Sequence, residues 1–146
     1  MPADAHADAH ADVHADVQAD VQASAQPSAT CVYYDGGCPL CRAEIAGYQR
    51  AEGGEALRWV DANAGGAAAL GPELDRTAAL ARLHVRRADG TLLRGAAAFA
   101  EIWAALPRWR WLARVARLPG VLPCLDLGYT VFLRVRPLWR RPPPAV

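Results

Sequence analysis

Residues 3–26 run as a four-residue repeat, ADAH ADAH ADVH ADVQ ADVQ ASAQ, that contains no large apolar side chain. Nothing in it offsets the entropy of ordering a chain, so residues 1–30 are expected to form an unstructured tail that ends in the linker "QPSAT". The apolar pattern then changes character. "CVYY" (31–34) is a short β-rich run, and "DGG" (35–37) is a turn that ends it. Pro39 suits the first turn of a helix, and Cys41, Ile45 and Tyr48 follow at i, i+4 and i+7 to give that helix one apolar face. "GG" at 53–54 stops it, and "ALRWV" (56–60) reads as a second strand.

Residues 61–81 carry a weaker pattern, read as a short helix with an irregular connection. In "RLHVRRADGTLLRG" (82–95), Leu83 and Val85 alternate with polar residues, Asp89-Gly90 turns a hairpin, and "TLLR" returns. Phe99, Ile102, Trp103 and Leu106 then mark a helix that Pro107 ends. Two further helical stretches are expected at about 109–118 and 124–136, separated by "LPGVLP". Their predicted buried stripes are Trp111, Leu112, Val115 and Leu118, then Leu125, Tyr129 and Phe132. "RRPPPAV" is a frayed end. The order β-α-β-(α)-β-β-α predicts an α/β layer architecture over 31–106, with a helical extension over 107–146 packed on it.

Charge divides the chain. All sixteen basic residues are arginine; the first thirty residues hold five aspartates and no arginine. From Pro107 onward there are eight arginines against Asp126 alone, a local excess of +7. Solvated helix faces account for such an excess, and an acidic partner or a membrane surface would also suit it. No run of ~18 uninterrupted apolar residues is present, so no integral membrane insertion is expected. The N-terminus has neither the basic start nor the apolar run of a signal peptide, so a cytoplasmic location is expected. No nucleic-acid partner is expected. If the tail were helical, His6, His10 and His14 would share a stripe able to bind a divalent metal weakly.

The four cysteines are Cys31, Cys38, Cys41 and Cys124. In a reducing compartment a close pair points to catalysis or metal rather than to a structural disulfide. Cys38 and Cys41, three apart at a helix start, meet the two needs of disulfide exchange. The first sits where free N–H groups and the helix dipole favour a thiolate, and the second lies one turn on, within reach of a mixed disulfide. Cys38 is therefore assigned as nucleophile and Cys41 as resolving thiol. Asp35 is read as a proton acceptor or as a turn or cap residue. Zinc would need two more ligands from Cys31, Cys124 and His84, none of which forms a second close pair. Cys31 and Cys124 are expected to be core residues.

"YYDGGCPLCRAEI" resembles the signature of the DCC family of thiol-disulfide oxidoreductases, named for the spacing D-x-x-C-x-x-C. Asp35, Cys38 and Cys41 match those positions, and Gly36 and Pro39 match common neighbours. "RWVDAN", "ARLHVRRADGTLLRGAAAFAEIWAALP" and "WLARVARLPGVLP…GYTVFLRVR" are similar to later parts of the family pattern, for coverage of about residues 31–141. The resemblance implies a thioredoxin-like central sheet flanked by helices, and disulfide reduction or exchange as the activity. Broader thioredoxin-like enzymes place a cis-proline before the third core strand, facing the cysteines. "TAALARLHV" has none, so another residue near Ala81 or Arg82 is expected to face the sulfurs.

The leading expectation is a thiol-disulfide oxidoreductase without a cofactor. Its partners would be a disulfide-containing protein or small molecule and a dithiol or small-thiol electron donor. Two alternatives from other classes stand beside it. One is a non-catalytic binding module anchored by Trp103, Trp109, Trp111 and Trp139; the other is a small zinc-binding domain.

Overall fold

Strands β1 (Cys31–Tyr34), β2 (Arg58–Asp61), β3 (His84–Arg86) and β4 (Leu92–Arg94) form one mixed sheet, ordered β2-β1-β3-β4, in the computed structural model. The structure describes residues 29–140. The repeat and the proline-rich end, for which disorder is expected, lie outside the described residues. β1 pairs parallel with β2, Val32 opposite Trp59, and antiparallel with β3, Val32 opposite Val85. β3 and β4 form the hairpin that Asp89-Gly90 predicts, and Thr91 N–H donates to the Asp89 carboxylate at 2.8 Å.

Helices α1 (Pro39–Arg50), α2 (Arg76–Ala81), α3 (Ala96–Ala105), α4 (Arg110–Ala116) and α5 (Val121–Val135) surround the sheet. Because β1 is central, both of its faces are covered, which is why "CVYY" shows no polar alternation. Val32 faces a core with Ile45 and Tyr48 of α1, Val85, and Ala98 and Ile102 of α3. Cys31 and Tyr33 point the other way, into a core with Val60, Leu70, Leu74 and Ala79. In that second layer a buried arginine replaces an apolar plug. Arg86 lies under Tyr33 and donates to the carbonyls of Leu70 and Pro72, which ties the irregular 62–74 connection to the sheet.

Two expectations for the C-terminal helices are corrected. The first predicted stripe is turned outward: Trp111 is 62% exposed, Val115 43% and Leu118 54%, while Ala113 and Ala116 are buried. Alanines let α4 approach α3 closely, so the small face rather than the large one packs. Cys124, expected in the core, is exposed, because α5 begins at Val121 and presents Tyr129 and Phe132 inward instead. Pro123 sits within the first turn of α5, where its missing N–H breaks nothing.

One polar contact joins the extension to the core. Gly95 precedes α3 with φ 63 and ψ −136, and the Asp126 carboxylate of α5 occupies the space that a Cβ there would need. Asp126 Oδ1 accepts the Ala96 N–H at 3.1 Å, and its Oδ2 lies 3.6 Å from Arg82. A residue thirty positions away thus caps α3 from outside, where Gly95 has no side chain to do so. Asp126→Ala is expected to lower unfolding free energy by about 1 kcal/mol, the usual cost of a lost N-terminal cap. Asp126→Asn should restore most of it, and denaturant titration of the three proteins measures both.

Candidate functional site

The turn between β1 and α1 is held from three sides. Asp35 Oδ1 accepts the Gly37 N–H at 3.0 Å, and the Asp35 carbonyl accepts the Cys38 N–H at 3.2 Å. Asp35 is therefore a turn residue, and the first free N–H groups of the helix are left to Cys38. Asp61, at the end of β2, accepts the Gly36 N–H at 2.9 Å and the Asn63 N–H at 2.8 Å from the opposite side. Its carboxylate fills the place of a Cβ at position 36, so only glycine fits there. Pro39 opens α1.

Cys38 is the N-cap of α1, with extended backbone angles of φ −91 and ψ 114. Its Sγ accepts the Cys41 N–H at 3.3 Å, and the Cys41 thiol donates to the same sulfur at 2.6 Å. Two donors and a helix N-terminus thus converge on Cys38 Sγ. Cys38 is fully buried, whereas Cys41 is half-buried. Burial pushes the Cys41 thiol up to about 12, and donation to Cys38 and the charge there add to it; the nearby Arg136 guanidinium opposes the shift.

The C-terminal segment supplies what the local motif does not show. Asp35 is buried, and its Oδ2 pairs with Arg140 Nε and lies 3.6 Å from Arg136 Nη1. Arg136 is itself buried; its Nη2 donates to the Leu80 carbonyl at 2.7 Å, and its Nε has no partner among the described residues. The Leu83 N–H is taken by the Tyr129 hydroxyl at 2.8 Å, and the Arg82 carbonyl meets His84 Nδ1 at 2.8 Å. The loop before β3, where a proline is missing, thus has its backbone groups satisfied from α5, the turn after it and His84.

Beside Cys41 lies a cavity of about 280 Å³, walled by Ile45, Leu83, Phe99, Trp103, Tyr129 and Phe132. Arg82 and Arg136 both reach this cavity; Arg136 is the one that acts on Cys41, while the Arg82 guanidinium is turned to Thr130 and Asp126. Trp103 Nε1 donates to the Tyr48 hydroxyl at 3.0 Å, which in turn donates to Glu44 at 2.8 Å, fixing one aromatic wall. Burial pushes the Tyr129 hydroxyl up to about 12, with the Cys41 charge adding to it, so it remains a neutral partner for Leu83.

All five residues picked from the motif, Asp35, Gly36, Cys38, Pro39 and Cys41, lie in this one turn and helix start. Arg136, Arg140, Tyr129 and Asp61 are further residues of the site. For Asp61 a signal existed, the acid closing "RWVD"; Tyr129 was marked only as part of a buried helix stripe, and for Arg136 and Arg140 only the arginine excess near the end hinted at a role. Cys31 packs in the second core and Cys124 is exposed on α5. Among the described residues, no three metal-ligating side chains cluster.

A family profile described as DCC1-like thiol-disulfide oxidoreductase matches residues 32–142. That is most of the chain, from β1 through the arginines that meet Asp35, and the protein belongs to this family. No curated protein and no solved structure matches it.

The sulfur contact has a titration signature. With Cys31 and Cys124 replaced by alanine, the Cys41 Cβ chemical shift should stay that of a thiol a full unit above its ordinary 9.0. In Cys38→Ala the hydrogen bond and neighbouring charge are gone, and the transition should move down. Because the folded value lies above the unfolded one, the stability Cys41 contributes is complete below pH 9 and is lost as pH rises toward about 12.

Proposed function

We propose that the protein reduces substrate disulfides, with Cys38 as the attacking thiolate and Cys41 as the resolving thiol. The observation that supports this most is the convergence of the Cys41 N–H and the Cys41 thiol on Cys38 Sγ at the start of α1. In the first step Cys38 Sγ attacks one substrate sulfur; a Cys38–substrate disulfide forms, the substrate S–S bond breaks, and one substrate thiolate leaves. In the second step Cys41, having lost its proton, attacks Cys38 Sγ. The Cys38–Cys41 disulfide forms and the second substrate thiolate departs. The leaving thiolates take up two protons, and two electrons pass from the dithiol to the substrate. An external dithiol or small thiol returns the pair to the reduced state, which fits a cytoplasmic setting.

The second step asks the more of the protein, since Cys41 holds its proton tightly. Arg136 is the group that opposes this, by its charge and by a hydrogen bond to Cys41. Once Cys38 is in a mixed disulfide, it no longer carries the negative charge that disfavours a Cys41 thiolate, while Arg136 remains in place. Asp35 orients Arg136 through the ion pair rather than shuttling a proton. The aromatic cavity beside Cys41 receives the group next to the substrate's disulfide, and rotation of the Cys41 side chain uncovers Cys38 behind it.

Cys38→Ser is expected to abolish reduction of a model disulfide, and Cys41→Ser to accumulate a Cys38 mixed disulfide visible by intact-mass spectrometry. Wild-type activity in Cys38→Ser would overturn the reading. Arg136→Met should slow resolution on the order of tenfold at neutral pH, the effect of about one pKa unit on the Cys41 thiolate. Raising the pH should recover the rate, which a merely structural defect would not do.

A further inference from the structure

Helix α5 is apolar on more than the face it buries. Tyr129, Phe132 and Arg136 turn toward the cavity, whereas Leu127, Val131 and Val135 line a second stripe, roughly 120° round the helix. On that second stripe Leu127 is 67% exposed, Val131 55% and Val135 42%, and Leu138 in the following turn is 83% exposed. α4 repeats the arrangement on a smaller scale: Trp111, Val115 and Leu118 are exposed, with the exposed Arg110, Arg114 and Arg117 between them. A helix with apolar residues on two faces covers the second with something other than water.

The charges around this surface narrow down the occupant. Arg108, Arg110, Arg114 and Arg134 are exposed and make no ion pair among the described residues. Asp126, the single acid after Pro107, is already engaged with the start of α3 and with Arg82. A second copy of the chain would bring arginines against arginines, and an acidic protein would match the charges but not the open apolar stripe. An anionic bilayer surface takes both, acyl chains against leucine and valine, phosphates against arginine. Among the described residues no single helix is long and apolar enough to cross a membrane, and the stretches 107–116 and 121–138, which pass by length and composition together, are bent by 102°. A bend of that size suits a pair lying in the headgroup plane. Trp109, Trp111 and Trp139, all partly exposed, suit the same boundary.

We infer that α4 and α5 form an interfacial arm that seats the protein on anionic lipid, through the Leu127–Val131–Val135–Leu138 stripe and the flanking arginines. This surface is separate from the cysteine pair, so the inference does not rest on the redox reading. The test is flotation of the full chain with vesicles of phosphatidylcholine alone and of phosphatidylcholine mixed with phosphatidylglycerol. The protein is expected to float with the mixed vesicles only and to be released by high salt. Leu127→Asp combined with Val131→Asp should abolish flotation while leaving the thermal transition unchanged, since both positions are exposed. Arg110→Gln with Arg114→Gln should weaken it on the order of tenfold or more. Failure to float with mixed vesicles would overturn the inference, as would binding to polyglutamate without vesicle binding. A dimer in sedimentation that the same two aspartates dissociate would overturn it too.

Discussion

The buried ion pair between Asp35 and Arg136 is the contact that makes a site out of a motif. Two oppositely charged groups taken out of water gain little net stability, because desolvation offsets most of their attraction. What they gain here is position. Asp35 opens the loop that ends in Cys38, and Arg136 sits at the end of α5, a hundred residues on. Their pairing brings a fixed positive charge to Cys41 and, through the Leu80 carbonyl, ties down the loop before β3. Removing Asp35 would leave Arg136 buried without its acid partner, whereas removing Arg136 leaves Asp35 still paired with Arg140.

That pairing changes how a substrate can be held. In a sheet of this order the loop before β3 would be a natural place for an extended chain to bond through its backbone. Here the Leu83 N–H belongs to Tyr129 and the Leu80 carbonyl to Arg136. With those groups occupied, strand-like pairing has few partners left there, and the surfaces beside Cys41 are the aromatic cavity and the two arginines reaching it. The C-terminal extension thus closes over the loop before β3, Tyr129 on the Leu83 N–H and Arg136 on the Leu80 carbonyl.

Local chemistry was well written in the chain. "CVYY" lacks polar alternation because both faces of a central strand are buried; Pro39 and the three-residue cysteine spacing mark the helix start; Asp89-Gly90 marks the hairpin. Asp35 was readable as a proton acceptor or as a turn or cap residue, but not as the partner of arginines distant in sequence. Gly36 looked like turn chemistry, whereas the space it leaves is filled by Asp61 from the neighbouring strand. The outward turn of α4 escaped for a related reason. Periodicity finds a stripe of large apolar residues, but close approach to α3 is made by alanines, which contribute little to that pattern.

The arginine excess after Pro107 illustrates why a charge count cannot stand for a surface. Arg136 and Arg140 point inward and are matched by Asp35; Arg117 reaches Glu101 at 3.5 Å; Arg108, Arg110, Arg114 and Arg134 face solvent without an acid partner among the described residues. The same sequence feature thus serves two physical ends. Inward, Arg136 and Arg140 share the Asp35 carboxylate, because a lone buried charge is costly. Outward, the lack of carboxylates leaves a positive field around exposed leucine and valine, and that combination of field and apolar surface favours an anionic interface over bulk water. α5 and the turn after it hold Arg134 outward and Arg136 inward, and along α5 the apolar residues occupy two faces with Asp126 the single acid.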